Sequence, residues 1–205
     1  MKVGVFAFGF VGKVLVSFLA GQKKQINFVA VKENDPYTND ILDVCQNTEI
    51  CVYTIDNINS DFTKSIIKDT KPEICFLLWW PDIVKSDVLN AVPGGIVNLH
   101  PSLLPFNRGM HPYYWSLVEG TPAGVSIHYI DEEIDSGLLL CQKKIETDIT
   151  TTGSSLYEEA ENEIISLFKQ NYDMIVEGSL NATKVNVEEG TFHLKKELDN
   201  HSHID

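Results

Sequence analysis

A doubly wound α/β fold with a mainly parallel sheet is what this 205-residue chain predicts, on three observations. Residues 2–7 form an apolar run. It leads through a glycine-bearing turn and a helical pattern to a second apolar run at 27–31, the strand, turn, helix and strand with which such folds begin. Residues 74–78 are apolar throughout, as a parallel strand covered on both faces must be. Residues 94–98 repeat the theme in short form after a glycine turn. With 43% hydrophobic and 22% charged residues, the composition is that of an ordinary globular domain with a full core. No apolar run nears the roughly 20 residues of a membrane span.

Each element can be justified in turn. In the first turn, Gly9 and Gly12 fall one short of a dinucleotide fingerprint, because Ala7 stands where its first glycine belongs. These glycines permit a tight strand-to-helix turn, and the helix is expected over 13–19. A polar, Pro-containing loop at 33–37 precedes a short helix over 39–45 and a strand over 50–54. Residues 57–60 cap a helix over 61–69, with Phe62, Ile66 and Ile67 apolar, and Lys71-Pro72-Glu73 ends it. Trp79-Trp80-Pro81-Asp82-Ile83-Val84 follows the strand at 74–78, with Trp79 the expected core residue, and a short helix follows over 86–90. Pro112–Glu119 reads as a helix, and 124–131 and 137–145 as strands. The Thr/Ser/Gly loop at 150–155 offers N-caps to an amphipathic helix over 156–171, extended to 178, with Leu156, Ala160, Ile164, Leu167 and Phe168 on one stripe. Residues 1–178 are expected to form the main domain and 179–205 a short C-terminal extension, ending at His201-Ser-His203 in a disordered terminus.

Charge and cysteine usage narrow the partners. A formal charge of −13, with sixteen Lys and Arg and no block of them, argues against nucleic acid. It does not argue against a small nucleotide, since a few groups in a pocket override the net field. The four cysteines form no CxxC pair and no zinc spacing, so no metal is expected. Cys75 lies in an apolar run and reads as a buried thiol. Free thiols, and a start that runs straight into a strand, point to a reducing cytoplasm.

The chemistry gathers between residues 98 and 137. Asn98-Leu-His100-Pro-Ser-Leu-Leu-Pro105 sets Asn98 and His100 two apart on an extended segment, so both point the same way, and Pro101 and Pro105 stiffen the loop that follows. An amide beside an imidazole at a strand end suits a developing oxyanion, and His100 can also move a proton near neutral pH. Asp135, in Ile130-Asp-Glu-Glu-Ile134-Asp-Ser-Gly137, is the group placed to orient or discharge that pair, although Asp before Ser-Gly is also ordinary turn chemistry. Arg108 carries a fork suited to carboxylate or phosphate. His111 reads as a solvent-facing loop residue. His128 reads as structural, or as facing the site on the side of Ser126 and Ile130.

Asn98-x-His100-Pro-Ser-Leu-Leu-Pro105 followed by Asp135-x-Gly137 resembles the catalytic domain of the formyltransferases that use 10-formyltetrahydrofolate. The resemblance is close over residues 70–145 and includes 124–131, which is similar to the family's strand leading to its aspartate loop. It implies a Rossmann-like domain, N10-formyltetrahydrofolate as donor, and Asn98, His100 and Asp135 as catalytic residues. In the family, the loop after the fourth strand helps to hold the pterin. Trp80 or Ile83 would then touch folate, as would Asp131 and Ile134 near the aspartate, and a tryptophan beside a pterin can stack on it.

Phe8 and Gly9 in the first turn, with Arg108 and Tyr113 on the segment 108–117, would face the amine substrate. Asn107-Arg-Gly followed by Pro112-x-x-Trp115-Ser resembles the nucleotide-sugar N-formyltransferases, as does 190–199, a segment that in them closes the domain and contributes to a dimer. The resemblance therefore implies transfer of formyl to a nucleoside-diphosphate-linked amino sugar, such as a dTDP-4-amino-4,6-dideoxyhexose, for surface polysaccharide synthesis. The first turn, Phe8-Gly-Phe-Val-Gly-Lys13, departs from the Ser/Gly/Asn-rich phosphate loop of glycinamide ribonucleotide formyltransferase, the alternative within the family. A hydrolase of the same donor and a non-catalytic folate- or nucleotide-binding protein are the remaining readings.

Overall fold

The computed structural model describes residues 1–22, 25–46 and 48–201. They form two compact units, Met1–Leu99 with Phe168–Leu180, and His100–Leu167 with Asn181–Asp205.

The first unit is a parallel sheet covered by helices. Its chain order is β1 (Lys2–Ala7), α1 (Gly9–Ala20), β2 (Gln25–Val31), α2 (Thr38–Cys45), β3 (Cys51–Thr54), α3 (Asp61–Thr70), β4 (Ile74–Leu78), α4 (Ser86–Leu89) and β5 (Ile96–His100). The strands lie in the order β3-β2-β1-β4-β5, every pair parallel. The chain thus winds outward from β1 to one side, then crosses to β4 and winds to the other, which is the doubly wound arrangement expected. β1 and β4 are central, and they are buried almost throughout, which explains why neither alternates in sequence. Gly4 is needed in β1, because a Cβ there would lie 2.6 Å from the Phe28 ring and 2.7 Å from the Cys75 sulfur. Phe6 meets Phe28 edge-on at 5.4 Å on the same sheet.

Local signals explain the boundaries. The Ser60 hydroxyl accepts from the Thr63 N–H at 3.1 Å and starts α3 where expected, and Lys71, at φ 50°, ends it. α1 begins at Gly9 rather than at residue 13, because Gly9 takes φ 66° and turns the chain straight from strand into helix.

The second unit contains β6 (Arg108–Gly109), α5 (Pro112–Glu119), β7 (Ala123–Tyr129), β8 (Leu138–Ile145), most of α6 (Gly153–Glu177), β9 (Thr183–Lys184), β10 (Phe192–His193) and α7 (Lys195–His201). β7 and β8 are antiparallel, β9 adds antiparallel to β8, and β10 pairs parallel with β6. Pro112 at the first turn of α5 and Gly120 at φ 65° give the helix the ends read from sequence. α6 begins at Gly153, because the Thr152 hydroxyl accepts from the Ser155 N–H at 3.1 Å. Its buried stripe includes Leu156, Ala160, Ile164, Leu167 and Phe168 as expected. The described residues from Asn181 onward group with the second unit, tied in by β9 and β10. The expected disordered end, Ser202 to Asp205, lies outside the described residues. Among the described residues no helix is long and apolar enough to cross a membrane.

Candidate active site

β5 carries Asn98 and His100 at alternate positions of one strand, hence on one face. His100 is buried, and its Nε2 has no hydrogen-bond partner within the protein. That nitrogen lies 3.5 Å from Oδ2 of Asp135, too long for a good hydrogen bond. His128, fully buried on β7, places its Nε2 3.5 Å from the other carboxylate oxygen. The two imidazoles stand edge to face at 6.1 Å. His128 Nδ1 lies 2.9 Å from the carbonyl of Tyr129, and since a carbonyl only accepts, this ring nitrogen carries the hydrogen. Burial, reinforced by His100 and opposed by Asp135, holds His128 well below the usual histidine range, and it is therefore neutral near pH 7. His128, read from sequence as structural or as facing the site on the side of Ser126 and Ile130, has its ring set against Asp135.

Asp135 is held by its backbone and by its neighbours. It adopts φ 51°, uncommon outside glycine, on a loop closed at both ends. Oδ2 accepts the N–H of Gly109 at 2.9 Å. Asp131 Oδ1 accepts from Ser136 Oγ at 2.7 Å and from the Glu133 N–H at 3.2 Å. Gly137 closes the loop, where a Cβ would run into the Tyr129 carbonyl. Ser126, on the same strand as His128, donates to the Ser102 carbonyl at 2.7 Å and accepts from the Leu104 N–H at 3.1 Å, fixing the loop that leaves His100.

The residues assigned to ligands fare differently. Arg108 is buried rather than presented: Nη1 donates to the Ile134 carbonyl at 3.2 Å, lies 3.5 Å from Glu133, and the guanidinium sits over the Phe192 ring at 5.5 Å. Its charge therefore braces the aspartate loop. Asp131 is exposed and Ile134 half-buried on that same loop. Tyr113 packs edge-on against Tyr157 at 5.1 Å and lines a small cavity with Ser102, Ser116 and Ala160.

In the first unit, the candidates sit where β1 and β4 end, at the point where strand order reverses and ligands of such sheets collect. The Phe8 N–H donates to the Leu78 carbonyl at 3.1 Å. Gly9, at the start of α1, donates its N–H to Oδ2 of buried Asp35 at 2.8 Å. The tryptophans are exchanged relative to expectation. Trp80 is the core residue, 6% exposed, with its ring edge-on to Phe6 at 5.7 Å and its indole N–H donated to Asp82 at 3.2 Å. Trp79 is half-buried at φ 65°, and this reversal of the chain sends the next side chain inward. Lys32 bridges to Asp82 at 2.8 Å and lies over the Trp80 ring. Ile83 is 62% exposed, on a backbone held by Asn59 through the Ile83 carbonyl and the Lys85 N–H, both at 2.8 Å.

Asp35 was missed by sequence reading, which saw only a polar loop, although an Asp ahead of a helix does signal capping chemistry. Among the described residues no group of three His, Cys, Asp or Glu side chains is placed to hold a metal ion.

Comparison with known proteins supplies the family. The fold is similar to a 4-N formyltransferase from Francisella tularensis, with a TM-score of 0.78 at 23% identity, covering 100% of this chain and 80% of that one. It is also similar to the formyltransferase PseJ from Anoxybacillus kamchatkensis, solved with UDP-4,6-dideoxy-4-formamido-L-AltNAc and tetrahydrofolate, with a TM-score of 0.69 at 22% identity and coverage of 98% and 89%. Glycinamide ribonucleotide transformylase 1 from Symbiobacterium toebii aligns with a TM-score of 0.74 at 20% identity and coverage of 91% and 94%. The formyl transferase family model matches residues 18–170, a span that contains Asn98, His100, His128 and Asp135, and the chain belongs to the formyl transferase family.

Proposed function

We propose that the protein moves the formyl group of N10-formyltetrahydrofolate to the amine of a nucleoside-diphosphate-linked amino sugar. The observation that carries this is the His100–Asp135–His128 group, in which a buried imidazole nitrogen without a protein partner stands 3.5 Å from a fixed carboxylate. Such a nitrogen is suited to hydrogen-bond the oxygen of the reacting formyl group. The donor, when bound, supplies an activated formyl carbon. A new C–N bond forms to the acceptor amine as the bond to the folate nitrogen breaks. Asn98 and His100 donate to the formyl oxygen as negative charge develops there. Asp135, held by Gly109, keeps the His100 proton on the nitrogen that faces it, and with neutral His128 accepts the proton that the amine sheds. That proton returns to the departing folate nitrogen. Ile83, exposed on an ordered loop, and Asp131 and Ile134 beside the aspartate are suited to the folate. Phe8, Gly9 and Tyr113 are assigned to the acceptor.

The nucleotide-sugar reading is favoured over a ribonucleotide acceptor by the first turn. The Gly9 N–H, at the start of α1 where a phosphate would bind, is already taken by the Asp35 carboxylate. The neighbouring PseJ structure, solved with a UDP-linked formamido sugar, supports the same acceptor class. We infer a cytoplasmic enzyme of surface polysaccharide synthesis, such as O-antigen or lipopolysaccharide. A homodimer is supported by the exposed Phe192, Leu194 and Val118 of the second unit.

The test is formyl transfer from 10-formyltetrahydrofolate to a panel of deoxythymidine, uridine and guanosine diphosphate amino sugars, with glycinamide ribonucleotide and a no-acceptor control. Turnover on an amino sugar is the expected result. Turnover confined to glycinamide ribonucleotide, or equal without acceptor, overturns the reading.

A further inference from the structure

Among the described residues, the segment after residue 189 contributes no side chain to the group around Asp135, yet it holds the backbone that does. The Gly109 N–H reaches the Asp135 carboxylate. Gly109 belongs to β6, whose one strand partner among the described residues is β10 of the C-terminal segment. The Arg108 N–H donates to the Thr191 carbonyl and the Met110 N–H to the His193 carbonyl, both at 3.0 Å, so Gly109 is clasped from either side.

Side chains reinforce the clasp. Asn107, only 1% exposed and at φ 54°, donates its own N–H to the Thr191 hydroxyl at 2.8 Å, while its Oδ1 lies 3.1 Å from that hydroxyl and its Nδ2 donates to Thr121 at 2.9 Å. The fit is close on both strands. A Cβ on Gly190 would strike the Pro105 carbonyl, and one on Gly109 would strike that of His193. The far end is anchored by buried His193. It stacks on Trp115 at 4.1 Å and lies between Glu197, at 3.1 Å, and Glu119, at 3.3 Å.

We propose that this C-terminal segment is a positioning element of the active site, in which Thr191 and His193 hold the aspartate through Asn107 and Gly109. The inference rests on the formyl-transfer reading for its kinetic consequence, but not for its structural one. Gly109, the one backbone donor to Asp135 among the described residues, is fixed only as well as its strand partner.

The test uses the full chain with Thr191→Val, which keeps shape and loses the hydroxyl, and Thr191→Ser, which restores it. Thr191→Val is expected to lower kcat about tenfold or more, with KM for both substrates within about twofold and Thr191→Ser near wild type, as misplacing a catalytic group predicts. The side-chain nitrogen NMR signals of His100 and His128, which both face Asp135, should shift in Thr191→Val and return in Thr191→Ser. His193→Gln, leaving the hydroxyl in place, gives the same readouts from the other anchor and decides the matter if Thr191→Val does not fold. Folded variants with wild-type kcat and unshifted histidine signals, or a lowered Tm alone, would overturn the proposal. Wild-type protein that transfers no formyl group overturns the function reading instead, and the histidine signals then decide this one.

Discussion

The loop around Asp135 and the loop that follows β4 differ in what they leave unsatisfied. Around Asp135 the backbone is in an uncommon conformation, two histidines converge on one carboxylate, and a buried imidazole nitrogen has no partner. The loop after β4 has the reverse character. Its polar groups are paired internally, Lys32 and Trp80 with Asp82, and Asn59 with the backbone on both sides of Val84, and what it offers outward is an apolar side chain, Ile83. An unsatisfied, strained polar centre is what reaction chemistry needs, and a settled frame with exposed apolar surface is what recognition needs. On the proposed function, kcat would depend on the first loop and KM on the second.

The strongest way to break that assignment is substitution on each side of it. Asn98→Ala should lower kcat by about 10²–10³ with little change in KM, as loss of an oxyanion donor does. Steady-state kinetics with both substrates decides this, and a rise in KM alone would move Asn98 from chemistry to recognition.

The buried histidine gives an acid-side signature. Its folded value is depressed, to about 4, against an unfolded value near 6.5, so between these the unfolded chain binds more protons. Stability should therefore fall as pH drops from about 6.5 to about 4, and level off below. His128→Asn should flatten that part of a Tm-against-pH curve, and an unchanged slope would remove His128 from the account.

Asp35→Ala strands the Gly9 and Tyr37 N–H groups, and should cost about 1–3 kcal/mol in denaturant unfolding. Inorganic phosphate should restore part of this loss in the variant and do nothing for wild type.

The smallest effect belongs to Ile83→Ser: a rise of about tenfold or less in the KM for folate, with kcat and Tm unchanged, since a partly exposed aliphatic contact contributes on the order of 1 kcal/mol. A fall in kcat would show that the two loops do not divide the work as described.

What the sequence could and could not reveal follows the range of each interaction. α5 was legible to the residue, because Pro112 and Gly120 mark its ends with local backbone chemistry. β4 was legible because its burial on both faces is written as five apolar residues. Asn98 and His100 shared a face by strand alternation alone. Trp79 and Trp80 were read in the wrong order, because a left-handed residue at Trp79 breaks that alternation and nothing in its side chain announces it. Arg108 reads as a ligand fork, since its partner carbonyl at Ile134 and the Phe192 ring lie far along the chain. The strands β6 and β10 are two residues each and pair over the same kind of distance, below what any periodicity can register. The same limit hid Asp35 and the role of His128, both fixed by tertiary contacts.

The central claim is that His100 and Asp135 do the chemistry on a bound folate. Its most direct test is formyl transfer by His100→Ala and Asp135→Asn beside wild type, with tetrahydrofolate binding measured on the same samples. We predict that both variants bind the folate within a few-fold of wild type and lose turnover by about 10²–10³. A folded variant that binds folate and transfers formyl within about threefold of the wild-type rate, less than the loss of even one such donor, would contradict the account.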